Sequence, residues 1–491
     1  MSLTKTLSKN SSIYILNSFL QNGIYVLFLP IYTHYLVPSE YGIVSLTSTI
    51  GSWLGIFFSF SLDVALYRKY FNYKDNENEL KIFLGTIFIT VLVLTLSGSI
   101  FLLLFGHFIF NVIAKNIAFY PYVMLVIITA GFQPFFSLFQ TLLQLQNKPL
   151  HYSLISIFSL LGRISLTLLF FTKIKTMPAC APLLANMMIT ILCTIYAFLA
   201  FRKKIVWKVR INFLKDSFAY SLPVLPHTML VTARPIIDKL VLNAFVSISA
   251  VGIFNIGFQF GSLILLIVTG FSNAYIPLLY NAMKDENKEQ LLELRNMGIL
   301  ISIVYLLSAI GISLFSNELI HIFTAKAYDQ SRTIISFIAF AFAIYGIGQI
   351  FTNTISYYNK GMRIIPFVTA FSVLLSVTLN IYFVKRLGLN GACFAIIINY
   401  SIIAVLFGII STRFAGIRWP FFKIAILIVF SLIILTSIHV LLEYFTGINL
   451  IVLIPLKVIL LFMVLAVLSS IGLGNPFVFV KYMKRIQMHF Q

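Results

Sequence analysis

Four charged side chains lie inside long apolar stretches of this sequence. The segment TARPIIDKLV, residues 232–241, places Arg234, Asp238 and Lys239 in an otherwise apolar stretch. Arg163 lies about halfway along another such stretch and has no carboxylate within one helical turn. Inside a bilayer, each of these groups would cost about 2.5–3.5 kcal/mol, so it is expected to face a protein interior or a wet cavity.

Two interpretations of the charges in TARPIIDKLV are open. Arg234 and Asp238 are four residues apart and therefore share one face of a helix. In the first interpretation, Arg234 and Lys239 line a positive cavity for an anion, and Asp238 holds them in place or binds a coupling cation. In the second, Asp238 only neutralises Arg234 or Lys239, and Lys239 extends toward the membrane surface. Arg163 favours the first, because an unpaired arginine at that depth needs an anion or a cluster of carbonyl groups.

Prolines surround the same charges. Pro235 lies between Arg234 and Asp238, and Pro223 and Pro226 precede them. A proline removes a backbone donor and bends a helix, so this stretch is predicted to be kinked or interrupted.

A second charged site lies nearer the end of an apolar stretch. Asp63 is about one helical turn from the end of the second stretch, close to Arg68. Charges at this depth reach the membrane surface more easily than those at mid-span. We therefore favour an interfacial pair or a gate contact over a substrate site for Asp63 and Arg68.

Polar groups that could bind sugars are frequent, whereas catalytic and metal motifs are not found. The histidines show no HExxH spacing, and the three cysteines show no CxxC spacing. Amides inside the apolar stretches fit either hydrogen bonds between helices or contacts to sugar hydroxyls. These amides are Asn17, Gln21, Asn22, Gln133, Gln140, Asn186, Asn255, Gln259, Gln349, Asn353, Asn380 and Asn399. We predict no metal, no cofactor and no catalysis.

The composition identifies the elements that must position these groups. Of 491 residues, 60% are hydrophobic and 10% are charged, and the mean hydropathy is +0.98. Soluble domains carry about 25% charged residues, so the sequence predicts an all-α polytopic membrane protein. A span needs about 20 apolar residues, and breaks divide the chain into about fourteen. The predicted spans are 11–36, 41–67, 82–105, 119–145, 150–172, 178–201, 217–243, 250–281, 296–315, 333–355, 363–384, 390–412, 420–442 and 450–471.

The basic residues between the spans predict the orientation. On one side of the membrane lie 24 Lys and Arg residues, and on the other side only 7. Cytoplasmic loops carry the excess of positive charge, so both termini are expected in the cytoplasm. The net charge of +21 then needs no nucleic acid, because basic loops suit an anionic inner leaflet.

An internal repeat predicts the architecture. YLVPSEYGI at 35–43 aligns with FVSISAVGI at 245–253, and PACAPLLAN at 178–186 aligns with GACFAIIIN at 391–399, at offsets of 210 and 213 residues. Six spans return the chain to its starting side, so the halves have the same orientation. We predict two six-helix bundles related by a pseudo-twofold axis along the membrane normal, an arrangement typical of transporters, although a static scaffold can also arise by duplication. The predicted domains are 1–204, 205–416 and a region of two extra helices and a cytoplasmic tail, 417–491.

Four motifs carry a resemblance to a known family. They are LPIYTHYLVPSEYGIVSL at 29–46, AYSLPVLPHTML at 219–230, DKLVLNAF at 238–245 and YNKGMR at 358–363. With the repeat, they resemble the polysaccharide-export flippases of the multidrug/oligosaccharidyl-lipid/polysaccharide exporter superfamily, which has a MATE-like fold. The O-antigen and capsule repeat-unit flippases, called Wzx, are the most similar. That family commonly has Asp-Arg at the position of Asp238-Lys239, so this chain keeps the charge but loses a bidentate fork.

The resemblance implies a function. It implies that the protein is a transporter and not an enzyme, and that it moves an undecaprenyl-pyrophosphate-linked oligosaccharide from the cytoplasmic to the periplasmic face of a bacterial inner membrane by alternating access. A proton or sodium gradient would drive transport, and membrane lipids, a polysaccharide polymerase and a chain-length regulator would be its partners. Arg163, Arg234, Asp238 and Lys239 would line the cavity for a pyrophosphate or acidic sugar.

Two other functions compete with this one. A multidrug or other lipid exporter of the same superfamily is expected to have a cavity dominated by carboxylates, whereas the mid-span charges here are mainly positive. A membrane polymerase or ligase is expected to carry a large periplasmic loop. The longest external breaks here, 106–118 and 316–332, are short.

Overall fold

The described chain is helical. The computed structural model describes residues 3–114, 116–202, 204–285, 288–415, 417, 419–444 and 450–474. Three of the basic residues counted above for orientation, Lys115, Lys203 and Arg418, lie outside these ranges, and so does the predicted tail from 475 onward. The described residues contain no strand, which confirms the all-α class.

Seventeen α-helices are found among the described residues. They are α1 (Leu3–Tyr35), α2 (Pro38–Ser59), α3 (Leu62–Tyr73), α4 (Glu77–Ile113), α5 (Met124–Leu145), α6 (Pro149–Lys173), α7 (Cys180–Phe201), α8 (Ile211–Phe245), α9 (Ile248–Gly261), α10 (Ile264–Lys284), α11 (Lys288–Leu314), α12 (Ser316–Phe323), α13 (Ser331–Ser356), α14 (Asn359–Met362), α15 (Ile365–Ala415), α16 (Phe421–Tyr444) and α17 (Leu450–Leu473). A π-helical turn at Phe119–Val123 leads into α5, and a 3-10 turn at Lys326–Tyr328 precedes α13.

The number of membrane-spanning helices differs from the prediction. Among the described residues, 11 helical segments are long and apolar enough to cross a membrane, so the predicted count of fourteen is not confirmed. Helices α1 and α8 are not among the 11, and the segment Asn359–Ala415 covers two predicted spans. Inside α15 these two spans are separated only by Gly388, whose left-handed φ of 58° interrupts the helical backbone.

Local sequence signals explain several helix ends. Pro38 begins α2, where the Glu40 carboxylate accepts a hydrogen bond from the Val37 N–H at 3.2 Å. Phe60 and Ser61 adopt left-handed φ values of 49° and 53°, so the single predicted span 41–67 is divided into α2 and α3. The break places Asp63 in the first turn of α3.

The prolines of α8 do not interrupt it. Pro223, Pro226 and Pro235 all lie inside a helix of 35 residues that is continuous, so the predicted interruption is wrong, whereas the alternative, a kink, stays a prediction. Each proline removes one hydrogen bond, but transmembrane helices tolerate this where neighbouring groups satisfy the freed carbonyls. Arg234, Asp238 and Lys239 therefore lie on regular helix.

The chain divides into two compact units. The first comprises 1–252 with 323–325, and the second comprises 253–322 with 326–491. In the first, α5 packs against α2, α4 and α7, α6 packs against α1 and α7, and α8 packs against α2 and α3. In the second, α13 lies buried between α11 and α15, and α16 and α17 pack against α11. The division into 1–204, 205–416 and 417–491 stays a prediction.

Two glycines aligned by the repeat contact each other in the first unit. A Cβ placed on Gly42 would lie 2.0 Å from the Ile248 carbonyl oxygen, and one on Gly252 would lie 2.0 Å from that of Pro38. Gly42 and Gly252 themselves are 210 residues apart. The contact between the starts of α2 and α9 is reciprocal, and it leaves no room for a side chain on either glycine.

Candidate functional site

A polar cavity with one charged residue lies within the first unit. This arginine cavity has a volume of about 510 Å³ and is lined by residues of α1, α2, α5, α6 and α7. Its lining includes Arg163, three glutamines, one asparagine, three tyrosines and several serines and threonines. Arg163 is the only charged residue among the described lining residues, so the cavity carries positive charge.

Arg163 is held by its own helix. Its Nε donates to the Ser159 carbonyl oxygen at 3.2 Å, and its Nη2 donates to Ser159 Oγ at 3.1 Å. The hydroxyl of Thr167, one turn later, donates to the Arg163 carbonyl oxygen at 2.7 Å, and Tyr32 donates to that hydroxyl at 3.3 Å. No carboxylate among the described residues pairs with Arg163. Since a guanidinium has five N–H donors, most of them remain available to an anion in the cavity.

The remaining lining suits a ligand with many hydroxyl groups. Gln140 Nε2 donates to Ser156 Oγ at 3.0 Å, which fixes the position of that amide. Gln133 and Asn186 also line the cavity. Amides and hydroxyls both donate and accept hydrogen bonds, as sugar hydroxyls do. The aromatic rings of Tyr25, Tyr32 and Tyr152 add apolar surface next to these groups.

The structure does not bring the charges of α8 into the arginine cavity. Asp238 and Lys239 are buried, with 4% and 7% of their surfaces exposed. Lys239 Nζ donates to Thr49 Oγ1 of α2 at 2.7 Å, so Lys239 does not extend toward the membrane surface. Arg234 is half-buried and lines none of the four cavities described here. Its Nε is buried and has no hydrogen-bond partner among the described residues.

Asp63 and Arg68 lie together but do not form an ion pair. Both line a cavity of about 440 Å³, the Arg68 cavity, with Tyr67, Thr141 and Tyr220. Among the described residues, neither side chain forms a salt bridge. The favoured interfacial pair is therefore not a direct contact, whereas the gate role stays a prediction.

Asp63 also lines a second cavity, which sequence reasoning did not find. This aspartate cavity has a volume of about 340 Å³, and His227 of α8 lines it with Asp63. The hydroxyls of Ser61 and Thr228 hydrogen-bond at 3.1 Å, joining the start of α3 to α8. His227 lacks any motif spacing, so only the packing of α8 against α3 could show that it lies beside a carboxylate.

A further buried cation, Lys457, lies on α17. Its Nζ lies 2.6 Å and 2.9 Å from the two carboxylate oxygens of Glu318 in the second unit. The lysine side chain is only 2% exposed. The partners are 139 residues apart, so no local spacing could reveal the pair.

One face of α2 borders an apolar groove. The groove has a volume of about 440 Å³, lies between α2, α4 and α8, and is lined only by apolar residues and Trp53. Trp53 Nε1 donates to the Met229 carbonyl oxygen at 3.2 Å, so its polar atom is satisfied. Ser48, Gly51 and Ser52, on α2, line the arginine cavity instead. Helix α2 thus separates a polar from an apolar concavity.

Comparison with known families gives two matches. The model of the polysaccharide biosynthesis protein family matches residues 7–283, and the MatE model matches residues 223–382. No curated protein matches the sequence.

Solved structures with the same fold are membrane transporters. The lipid II flippase MurJ in an inward closed conformation is similar over 98% of this chain and 99% of its own, with a TM-score of 0.69 and 16% identity. An inward-facing multidrug resistance MATE family transporter is similar over 80% of this chain and 94% of its own, with a TM-score of 0.61 and 17% identity. A Vibrio cholerae MATE transporter mutant has a TM-score of 0.54 and 12% identity, over 84% of this chain and 98% of its own. The MATE-like fold class is confirmed.

Proposed function

This chain belongs to the polysaccharide biosynthesis protein family, whose model matches more than half of it, and we propose that it flips a lipid-linked oligosaccharide across the membrane. The substrate is an undecaprenyl-pyrophosphate-linked repeat unit of O-antigen or capsule. It moves from the cytoplasmic to the periplasmic face of a bacterial inner membrane by alternating access. Both termini lie in the cytoplasm, and a polymerase and a chain-length regulator use the product.

The observation that carries this proposal is the arginine cavity. Arg163 is the only charged residue among the described residues that line this cavity. It hydrogen-bonds to Ser159 and pairs with no described carboxylate. A diphosphate or an acidic sugar is the ligand class that such a group binds. The surrounding amides and hydroxyls match the hydroxyls of an oligosaccharide.

The apolar groove favours a substrate that carries a lipid chain. A polyprenyl chain needs a surface that offers no unsatisfied polar atom, and the groove between α2, α4 and α8 is of that kind. One structural neighbour is a flippase of a lipid, lipid II. A substrate with a polar head and an apolar tail fits the polar arginine cavity and the apolar groove, which are both lined by residues of α2.

The sign of the charge argues against the competing drug exporter. A cavity for cationic drugs is expected to present carboxylates, because desolvated cations need an opposite charge. Among the described residues, no carboxylate lines the arginine cavity.

A deletion strain tests the proposal. We expect it to lose its surface polysaccharide and to accumulate single lipid-linked repeat units on the cytoplasmic face, where a membrane-impermeant glycosidase reaches them only in inside-out vesicles. Re-expression of the chain should restore export. A strain that exports single units and lacks only long polymer would point to a polymerase, and a strain that only becomes sensitive to cationic drugs would point to a drug exporter.

A further inference from the structure

One face of α1 carries four tyrosines that follow most of its length. Tyr14, Tyr25, Tyr32 and Tyr35, with Gln21 among them, recur at spacings of three, four and seven residues. Residues at these spacings share one face of a helix. At a rise of about 1.5 Å per residue, the tyrosines extend over about 30 Å, which is the thickness of the hydrocarbon layer. We call these four residues the tyrosine stripe.

The tyrosine stripe faces α6, which packs against α1. Near the start of α6, the rings of Tyr14 and Tyr152 meet edge-on, with centroids 5.3 Å apart. Near the end of α6, Tyr32 donates to the Thr167 hydroxyl at 3.3 Å, and its ring meets that of Phe171 edge-on at 5.9 Å. The α6 residues that line the arginine cavity extend from one contact to the other, at positions 152–167. The cavity therefore lies along the middle of the stripe.

Aromatic rings continue past the cavity to the end of α1. Tyr35 is the last residue of α1, and its ring stacks on that of Phe171, with centroids 4.8 Å apart and planes at 8°. Phe171 also contacts Tyr32, which lines the cavity. Tyr35 is 45% exposed, so Phe171 leaves much of its ring accessible. The stripe thus connects the cavity to an open aromatic surface at the predicted periplasmic end of α1.

Aromatic rings beside amides and hydroxyls are suited to sugars. A pyranose has C–H groups on its two faces, which pack on the negative face of an aromatic ring, and hydroxyls at its edge, which bond to polar groups. Tyr25 and Tyr32 provide rings in the cavity, and Gln21 provides an amide on the same helix face. A lipid chain would gain nothing from tyrosine hydroxyls, and no tyrosine is among the described residues that line the apolar groove. The stripe therefore fits the glycan and not the polyprenyl chain.

We propose that the tyrosine stripe is a track on which the sugar rings of the substrate stack, and that Tyr35 and Phe171 form a sugar subsite outside the arginine cavity. The identity of the substrate rests on the proposed function, whereas sugar binding at Tyr35 does not. From Tyr25 to Tyr35 the helix rises by about 15 Å, so one oligosaccharide can contact the cavity and the subsite together. The subsite therefore favours a glycan of several sugars over a single sugar.

Packing of α1 on α6 is the competing role for these rings. Aromatic pairs stabilise contacts between helices, and a substitution would then lower stability and leave sugar binding unchanged. Tyr35 separates the two roles, because it ends α1 and nearly half of its surface is exposed. Tyr35→Phe keeps the aromatic ring, whereas Tyr35→Leu keeps an apolar side chain without the ring.

Saturation-transfer NMR tests the subsite without any lipid-linked substrate. The full chain is reconstituted in nanodiscs and titrated with glucose and with linear glucose oligomers of two to four units. We expect the affinity to rise with length in the parent and in Tyr35→Phe. Tyr35→Leu should lose about three- to tenfold in affinity for the four-unit oligomer, the loss of one aromatic contact, and should keep its affinity for glucose, which binds beside Arg163. The matched control is Tyr196→Leu, at an exposed position on α7 outside the stripe, and it should equal the parent.

Three results would overturn the subsite. The first is equal affinity of Tyr35→Leu and the parent for the four-unit oligomer, which would assign the ring to packing. The second is an equal loss in Tyr196→Leu, which would mean that any exposed tyrosine contacts the sugar. The third is an affinity in the parent that does not depend on length. If Tyr35→Leu does not fold, Phe171→Leu changes the same subsite from α6 and carries the same expectation.

A transport measurement separates this inference from the proposed function. Proteoliposomes receive either the complete lipid-linked oligosaccharide or its precursor with a single sugar. We expect Tyr35→Leu to slow flipping of the complete unit about three- to tenfold and to leave flipping of the precursor unchanged. If the parent binds the glucose oligomers but flips neither lipid, the proposed function fails and the sugar subsite stands. If Tyr35→Leu flips both lipids at the rates of the parent, the track fails and the proposed function stands.

Discussion

Helices α6 and α7 align with the two halves of α15 in the predicted repeat, but the aligned polar residues have different surroundings. The aligned pairs are 213 residues apart: Ser159 and Ser372, Arg163 and Ser376, Thr167 and Asn380, Asn186 and Asn399. In the first unit, all four residues line the arginine cavity. In the second unit, all four are buried, with at most 5% of the surface exposed, whereas in the first unit only Ser159 and Thr167 are buried to this extent.

The four aligned residues of the second unit form hydrogen bonds with one another. Ser372 Oγ donates to Asn399 Oδ1 at 2.7 Å, and Asn399 Nδ2 donates to the Ser372 carbonyl oxygen at 2.8 Å. Asn380 Nδ2 donates to the Ser376 carbonyl oxygen at 2.9 Å. Hydrogen bonds of this kind close the space between helices. The first unit has an arginine in place of Ser376, and its donors outnumber its local acceptors, so the space stays open to a ligand.

The two units also differ in whether a cation inside them is paired with a carboxylate. Lys457 in the second unit lies within 2.9 Å of both Glu318 oxygens, whereas Arg163 in the first unit has no carboxylate partner among the described residues. A paired cation needs no ligand, and an unpaired cation in a cavity does. We therefore expect the substrate to bind in the first unit, and the following predictions test this expectation.

The largest effect is expected where a buried pair is broken. Lys457→Met leaves Glu318 as an uncompensated buried charge, which costs about 3–5 kcal/mol. We expect a large loss of monodisperse protein and a lower melting temperature in detergent. The double variant Lys457→Met with Glu318→Gln should recover most of the loss. Arg163→Met should not lower the melting temperature, and equal losses in the two single variants would contradict the comparison.

The second-largest effect is expected at the two glycines that contact each other, Gly42 and Gly252. Gly42→Ala and Gly252→Ala each drive a Cβ to within 2.0 Å of a backbone oxygen, and such overpacking costs about 3 kcal/mol or more. We expect both to reduce folded yield to the same extent. Gly23→Ala and Gly270→Ala, where nothing lies within 4 Å of the added Cβ, are the controls. A loss at only one of the contacting glycines would show that the contact is not reciprocal.

Arg163 is expected to affect transport without affecting folding. Arg163→Gln removes a charged hydrogen bond worth about 1.5–3 kcal/mol, so flipping of the lipid-linked oligosaccharide should fall about 10- to 100-fold at normal membrane expression. Arg163→Lys should recover part of it, because it keeps the charge without the fork. The exposed Arg202→Gln controls for charge removal. Full complementation by Arg163→Gln would show that the cavity does not use this charge.

The sequence predicted the helical class and an Arg163 without a carboxylate on its own helix, because long apolar stretches and an isolated arginine are local signals. It could not predict which charged groups share a cavity. Arg163 and Lys239 both lie inside apolar stretches, yet one lines a cavity and the other donates to Thr49 on another helix. These outcomes depend on how helices distant in sequence pack. The same limit explains His227 and the pairing of Lys457 with Glu318.

The smallest effect is expected from the aligned asparagines, and it separates the two units most directly. Asn399→Ala removes both hydrogen bonds with Ser372, and interhelical bonds of this kind contribute about 1 kcal/mol, so the melting temperature should fall by a few degrees. Asn186 lines the cavity and forms no hydrogen bond among the described residues. Asn186→Ala should therefore leave the melting temperature unchanged and lower the flipping rate a few-fold, because a sugar contact is lost. Asn399→Ala should therefore change the melting temperature, and Asn186→Ala should change the flipping rate. If Asn186→Ala destabilises the protein as much as Asn399→Ala and leaves flipping intact, the first unit satisfies its polar residues as the second does, and the arginine cavity is a packing feature rather than a binding site.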